Sequence, residues 1–424
     1  MKHTVEELRL KNGARGLLIN VKGANVVSTR VQFRAGLRYA KNPDLAEIAH
    51  VVEHLSFGAN SKYKDEQAYE ADFTKNGAYH NAWTSDYSVV YETECADFEW
   101  ERILELKRLA ICEPRFNEEE LKSEKANIRA ELTGYENDYY RLLWPKLQQQ
   151  IGQSVPTLPE RIKTLSNIEL KDIREHYRRT HTLNNMRFII AGDFSRRERK
   201  KINEIFNSWN LKPGSRLEMP YDEFSTSDPY LIRRKDAANI TFGFSWLTPR
   251  NLTPAEIQAM ACLNHILTGT MSSRIFGAAR KKGLLYTMYS SINAEPENTT
   301  WDFEGEVNFE NAENFFELFL KEFVKILNGE ISLPDIEAAK SYQLGRFKMS
   351  AQTVSQIADF YADEYFKTDE IANFNKITNL VKNVKKSDLV DLAREFTGSG
   401  IQSLVAVSSC EKSLITSLNN YLSF

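Results

Sequence analysis

Cysteine is scarce in this chain, and the four present, Cys95, Cys112, Cys262 and Cys410, stand far apart with no C-x-x-C pair. That spacing excludes a zinc ribbon and fits reduced thiols, so a cytoplasmic location is expected. Long apolar runs are missing too. Nowhere do about 18 apolar residues follow one another, and Met1-Lys2-His3-Thr4-Val5-Glu6-Glu7-Leu8 lacks a signal core, so no membrane segment is expected. Nor does one charge dominate: the formal net charge is −3, with acidic and basic residues interspersed, which leaves no footprint for nucleic acid. What remains reads as a globular chain of 424 residues, 42% hydrophobic and 27% charged, long enough for more than one core.

The order of local signals suggests one unit used twice. Strand patterns at Val5 to Leu10 and Gly16 to Val21 flank the hairpin dipeptide Asn12-Gly13. From Val27 to Phe33 apolar residues alternate with Ser28, Arg30 and Gln32, the period of a strand with one buried face. Helices are predicted at about 45 to 56, 97 to 111 and 117 to 134, and strands at about 86 to 94 and 187 to 191. A Pro, Gly and Ser-rich stretch over 212–229 reads as a linker. After it a strand at Asn239 to Trp246 and a helix from Pro254 repeat the order. The expectation is an α+β fold of two homologous halves, 1–211 and 230–424, each a mainly antiparallel sheet with helices packed on one face.

Residues 50 to 54 read His-Val-Val-Glu-His. At about 100° per residue His50, Glu53 and His54 share one arc of a helix, while Ile48, Val51, Val52 and Leu55 occupy the opposite arc. Two imidazoles at this spacing suit zinc, and a glutamate beside them suits a general base, but a catalytic zinc needs a third protein ligand. Alone, the pentad is equally compatible with a histidine pair on an amphipathic surface helix. Downstream, Asn117 and Glu120 form a capping-box pattern, and Glu124 and Glu131, two turns apart, share a helix face with Ile128 between them. A solvated acidic stripe is the ordinary reading of such a pair. Glu131 stands 77 positions after His54.

With that spacing the chain resembles the inverzincin peptidases, the family of pitrilysin, insulin-degrading enzyme and mitochondrial processing peptidase. Their third zinc ligand is a glutamate at closely this distance, with a supporting glutamate seven residues before it, which Glu131 and Glu124 match. The likeness extends through Leu55-Ser56-Phe57-Gly58, Asn81-Ala82-Trp83-Thr84-Ser85-Asp86 and Ile189-Ile190-Ala191-Gly192-Asp193. The resemblance implies one zinc per chain on His50, His54 and Glu131, with Glu53 as base and Glu124 orienting a ligand or the base. It implies that Asn81 and Ala82, just before an edge strand, bind an extended peptide.

In the second half, Met271-Ser272-Ser273-Arg274 through Tyr286 is similar to the family's Arg/Tyr element, in which tyrosine stabilises an oxyanion and arginine holds the peptide. Tyr286 fits. Ala279 stands seven residues before it, so Arg280, one step nearer, is taken as the arginine. A basic helix end, Arg280-Lys281-Lys282, is the plainer reading of that charge. His265 stands alone and is expected to be a packed or a surface histidine, not a ligand. The resemblance implies a zinc endopeptidase acting on unfolded peptides, with homodimers closing as a clamshell. A catalytic subunit of a heteromeric peptidase and a noncatalytic structural relative are the alternatives.

Overall fold

The computed structural model describes residues 1–424, which form two compact units. Unit one comprises 1–134, 158–220 and 350–372; unit two comprises 135–157, 221–349 and 373–424. The chain therefore alternates between the units, whereas the sequence suggested contiguous halves joined once at 212–229.

Unit one holds strands β1 (His3–Arg9), β2 (Arg15–Val21), β3 (Val26–Arg34), β4 (Tyr79–Thr84), β5 (Ser88–Ala96) and β6 (Met186–Gly192), ordered β1-β2-β6-β3-β5-β4. Only β2 and β6 run parallel. Its helices are α1 (Ile48–Ser56), α2 (Glu66–Thr74), α3 (Trp100–Cys112), α4 (Glu118–Tyr135), α6 (Leu158–Thr164), α7 (Leu170–Thr180), α8 (Arg196–Asn207) and α13 (Val354–Thr368). Unit two holds β7 (Tyr230–Arg233), β8 (Ile240–Thr248), β9 (Leu285–Glu295), β10 (Asn298–Val307) and β11 (Gln402–Ser408), ordered β7-β11-β8-β10-β9 with only β7 and β11 parallel. Its helices are α5 (Tyr139–Gln150), α9 (Pro254–Leu267), α10 (Phe276–Lys281), α11 (Ala312–Leu327), α12 (Leu333–Met349), α14 (Phe374–Asn383), α15 (Lys386–Gly398) and α16 (Lys412–Asn419). Removing β1 from the first sheet leaves the order and directions of the second, so the repeat is real at the level of topology.

The hairpin at Asn12-Gly13 forms as its dipeptide predicts, with Gly13 at φ +97°, a conformation that costs glycine nothing. Val27, Val31 and Phe33 of β3 face the first core with Trp100, Ile103 and Leu104 from the helical layer. The other face of β3 is also covered, against the expectation of one buried face. Helix α13 packs on β3 and β6. Arg30 pairs with Asp359, Arg34 donates to the Lys367 carbonyl at 2.7 Å, and Arg187 is clamped on Asp369 at 2.8 Å. In unit two Ile240, Phe242, Phe244 and Trp246 face an aromatic core with Trp301, Phe303 and Phe319. Helix α5 covers the opposite face of that sheet, and a Cβ on Gly243 would meet the Leu143 side chain at 2.4 Å, so a larger residue there would push that leucine aside.

Two histidines of unit one are buried without charge. His176 on α7 bonds the Ala35 carbonyl through Nε2 at 3.1 Å, and burial pushes its pKa down to about 3; burial also pushes His181 well down. The unfolded chain binds these protons near pH 6.5, so stability is full above that value and falls as the pH drops from there toward 3. His176→Gln is expected to flatten this loss by about 1 kcal/mol per pH unit, read from urea unfolding at pH 6.5, 5.5 and 4.5. An unchanged slope would mean His176 takes up its proton in the folded state.

Candidate metal centre

Helix α1 is anchored by Ile48, Ala49, Val51, Val52 and Leu55, each nearly inaccessible to solvent. This fixes the opposite arc, where His50 and Glu53 are buried and His54 is half-buried. The loop after α1 is tied to the start of α4. Asn117 Oδ1 caps the Glu120 amide at 2.9 Å, and the Glu120 carboxylate accepts the Ala59 amide at 2.8 Å. A Cβ on Gly58 would meet that carboxylate at 2.9 Å. With α4 set in this way, Glu124 and Glu131 both reach α1.

His50 Nε2 lies 3.2 Å from His54 Nε2, and Glu131 Oε2 lies 3.6 Å from the first and 3.7 Å from the second. Donors held about 2.0–2.1 Å from a tetrahedral zinc stand roughly 3.3–3.4 Å from one another. The triangle therefore fits a tetrahedral ion closely.

The outer ring nitrogens support the same reading. His50 Nδ1 is 2.9 Å from Glu47 Oε2, and His54 Nδ1 is 2.8 Å from Glu124 Oε2. Carboxylates only accept, so each Nδ1 carries the hydrogen and each ring turns Nε2, its metal-binding nitrogen, inward. Two acceptors facing each other beside a carboxylate oxygen call for a cation. Burial works against a charged His54, but the Glu124 hydrogen bond and the neighbouring carboxylates outweigh it and raise its pKa, so a metal and a proton compete for this ring.

Glu53 also lies within 4.8 Å of the two histidines. Its Oε2 accepts from Thr84 Oγ1 at 2.6 Å, and burial raises its pKa, the direction that suits a group that must take and return a proton. Burial pushes Glu47 the same way, yet the His50 hydrogen bond and Arg161 leave its pKa below the ordinary value.

Asn81 and Ala82 fall inside a strand, β4, rather than before one as expected. Ala82 pairs with Tyr91 and Asn81 with Glu92, and β4 ends the sheet, so its other side is a free edge. The stretch escaped notice because Tyr79-His80-Asn81-Ala82-Trp83-Thr84 is polar and only half-buried. Trp83 lies under the Arg30 guanidinium, 5.1 Å from the ring centre. In unit two the guanidinium of Arg280 stacks on Tyr286 at 4.1 Å and donates to its carbonyl at 2.6 Å. Tyr286 itself is 76% exposed on the edge strand β9. His265 is packed, stacked on Tyr342 at 4.0 Å.

Sequence reasoning missed three site residues: Glu47, Arg161 and Thr84. Glu47 stands three before His50, a helical spacing visible in hindsight. Thr84 lies in the stretch from Asn81 to Asp86 that carries the family likeness but takes no role from it, and Arg161 comes from a distant segment with no local signal.

A repeated α+β fold of this kind is shared with solved structures of peptidase-family proteins. The chain belongs to peptidase family M16: residues 16–156 match the insulinase (peptidase family M16) model, and residues 167–342 match the model for the peptidase M16 inactive domain. His50, Glu53, His54, Glu124 and Glu131 all fall in the first match, Arg280 and Tyr286 in the second. An uncharacterized zinc protease of Rickettsia bellii is 23% identical over 96% of this chain and 98% of its own length. The mitochondrial-processing peptidase subunit beta of Neurospora crassa is 20% identical over 89% of this chain and 82% of its own. Among solved structures, a protease from Helicobacter pylori superposes with a TM-score of 0.84 at 19% identity, covering 96% of this chain and all of that one. A peptidase M16 inactive domain from Pseudomonas fluorescens gives 0.86 at 16% identity, covering 96% and 98%. No helix of the chain is long and apolar enough to cross a membrane.

Proposed function

We propose that this chain is a zinc-dependent endopeptidase that hydrolyses unfolded peptides or oligopeptides. The observation that carries the reading is the triangle of His50 Nε2, His54 Nε2 and Glu131 Oε2 at tetrahedral spacing, with both imidazoles oriented by carboxylates. Zinc held by these three supplies Lewis-acid polarisation of a peptide carbonyl and lowers the pKa of water toward neutrality. Glu53 takes the proton of the attacking water and hands it to the leaving nitrogen, with Thr84 holding the carboxylate in place. Glu124 fixes the His54 tautomer. Asn81 and Ala82 offer the free edge of β4 to an extended peptide, which suits unfolded substrates. Tyr286 donates its hydroxyl to the developing oxyanion, and Arg280 holds the peptide once it leaves its stack on the tyrosine.

A homodimer is the simplest assembly, because one chain carries both the metal set and the Arg/Tyr element. The similarity to a processing-peptidase subunit favours a second reading, a catalytic subunit that needs a different partner. The cytoplasm suits four free cysteines, of which burial raises the pKa of Cys95 and Cys112 to about 12 and of Cys262 to about 11.

Zinc content of the purified protein and cleavage of a quenched fluorescent peptide library test the reading. One zinc per chain is expected, with cleavage lost to a chelator and restored by added zinc. Protein that binds no zinc would sink the proposal. Zinc binding with cleavage only after a second protein is added would favour the heteromeric form.

A further inference from the structure

Glu47 is wholly buried, directly precedes α1, and is neither a ligand nor the base in the scheme above. A carboxylate removed from water costs several kcal/mol unless its charge and lone pairs are answered. Here both oxygens are answered. Oε1 accepts the Nε–H of Arg161, and Oε2 accepts both Nη2–H of Arg161 at 3.2 Å and Nδ1–H of His50 at 2.9 Å. Arg161 sits on the short helix α6, and its side chain is 19% exposed. As a capping group the carboxylate is idle: Glu47 makes no side-chain bond to the amides of α1.

We propose that Glu47 and Arg161 are a positioning pair whose task is to hold His50 in its metal-binding tautomer and rotamer. The inference rests on the zinc reading above. The fork of Arg161 fixes the plane of the carboxylate and compensates its charge. The carboxylate, so fixed, accepts only from Nδ1–H and leaves the Nε2 lone pair directed at His54 Nε2 and Glu131. Glu124 does the same for His54 without an arginine behind it, its two oxygens accepting from His54 Nδ1 and from the Asn127 amide. The two imidazoles are thus held by unequal means, the deeper one by a carboxylate locked on a second helix. An arginine 114 positions away in sequence is a costly way to satisfy one glutamate unless the glutamate's orientation matters.

Zinc affinity, measured by competition with a chromophoric chelator, and the visible spectrum of the cobalt-substituted protein test the pair in the native chain, Glu47→Gln, Glu47→Ala and Arg161→Met. Glu47→Ala and Arg161→Met are expected to weaken zinc binding about 10–100-fold and to shift the cobalt bands. Glu47→Gln, which keeps an acceptor oxygen, should recover part of the loss. The double variant Glu47→Ala/Arg161→Met should be no weaker than Glu47→Ala alone, because the arginine acts through the glutamate. Native affinity and spectrum in any folded variant of Glu47 would overturn the proposal, and Glu47→Gln, nearly isosteric, serves if Glu47→Ala does not fold. A native chain that binds no zinc would instead bring down the metallopeptidase reading, a separate result.

Discussion

Glu53→Gln is expected to lower kcat/KM for peptide cleavage by about 10²–10⁴-fold with zinc content unchanged. The substitution keeps the shape of a buried side chain and still offers an oxygen to Thr84, whose hydroxyl donates at 2.6 Å, so packing and the position of β4 are preserved. It removes the one group in the cluster that can take a proton without being a ligand. The metal triangle is untouched, since none of its edges involves Glu53. Cleavage assays and elemental analysis on the two proteins read the two quantities separately. Activity within tenfold of native would place the base elsewhere.

Glu131→Gln should weaken zinc binding by more than the roughly 10–100-fold that attends loss of an orienting group, because it takes away one of three donors. The side chain is about a third exposed, so the apo protein should keep its melting temperature within a few degrees. Glu124→Ala provides the comparison, with a loss inside that 10–100-fold range. The contrast decides between two carboxylates. If Glu131→Gln binds zinc as tightly as Glu124→Ala, the third donor is Glu53, which also lies close to both histidines.

Much of the site could be read from the sequence because its parts are local. The pentad needs only the pitch of a helix, and the hairpin, the α4 cap and the Glu124 to Glu131 stripe each lie within one element. What escaped reading depends on segments far apart in the chain. Ser28 and Gln32 alternate with apolar neighbours as if facing water, yet both are buried because α13 arrives from residues 354–368 to cover them. The tie from His50 through Glu47 to Arg161 crosses from α1 to α6, and no periodicity in either helix announces it. The strand β4 was hidden by its exposed polar composition, which is also what a free edge requires. The division into contiguous halves followed the Pro and Gly content of 212–229, whereas nothing local in α5 or α13 says which sheet each will cover.

That exchange sets a timetable for synthesis. The last strand of the first sheet, β6, is complete at Gly192, but the helix that covers its arginine-bearing face ends at Thr368. At about 5–20 residues per second a ribosome takes roughly 10–35 s to cross that gap. Throughout it Arg30 awaits Asp359, Arg34 the Lys367 carbonyl and Arg187 Asp369. Until then that face of the sheet stays uncovered, so a chain cut short before Thr368 is expected to leave it exposed.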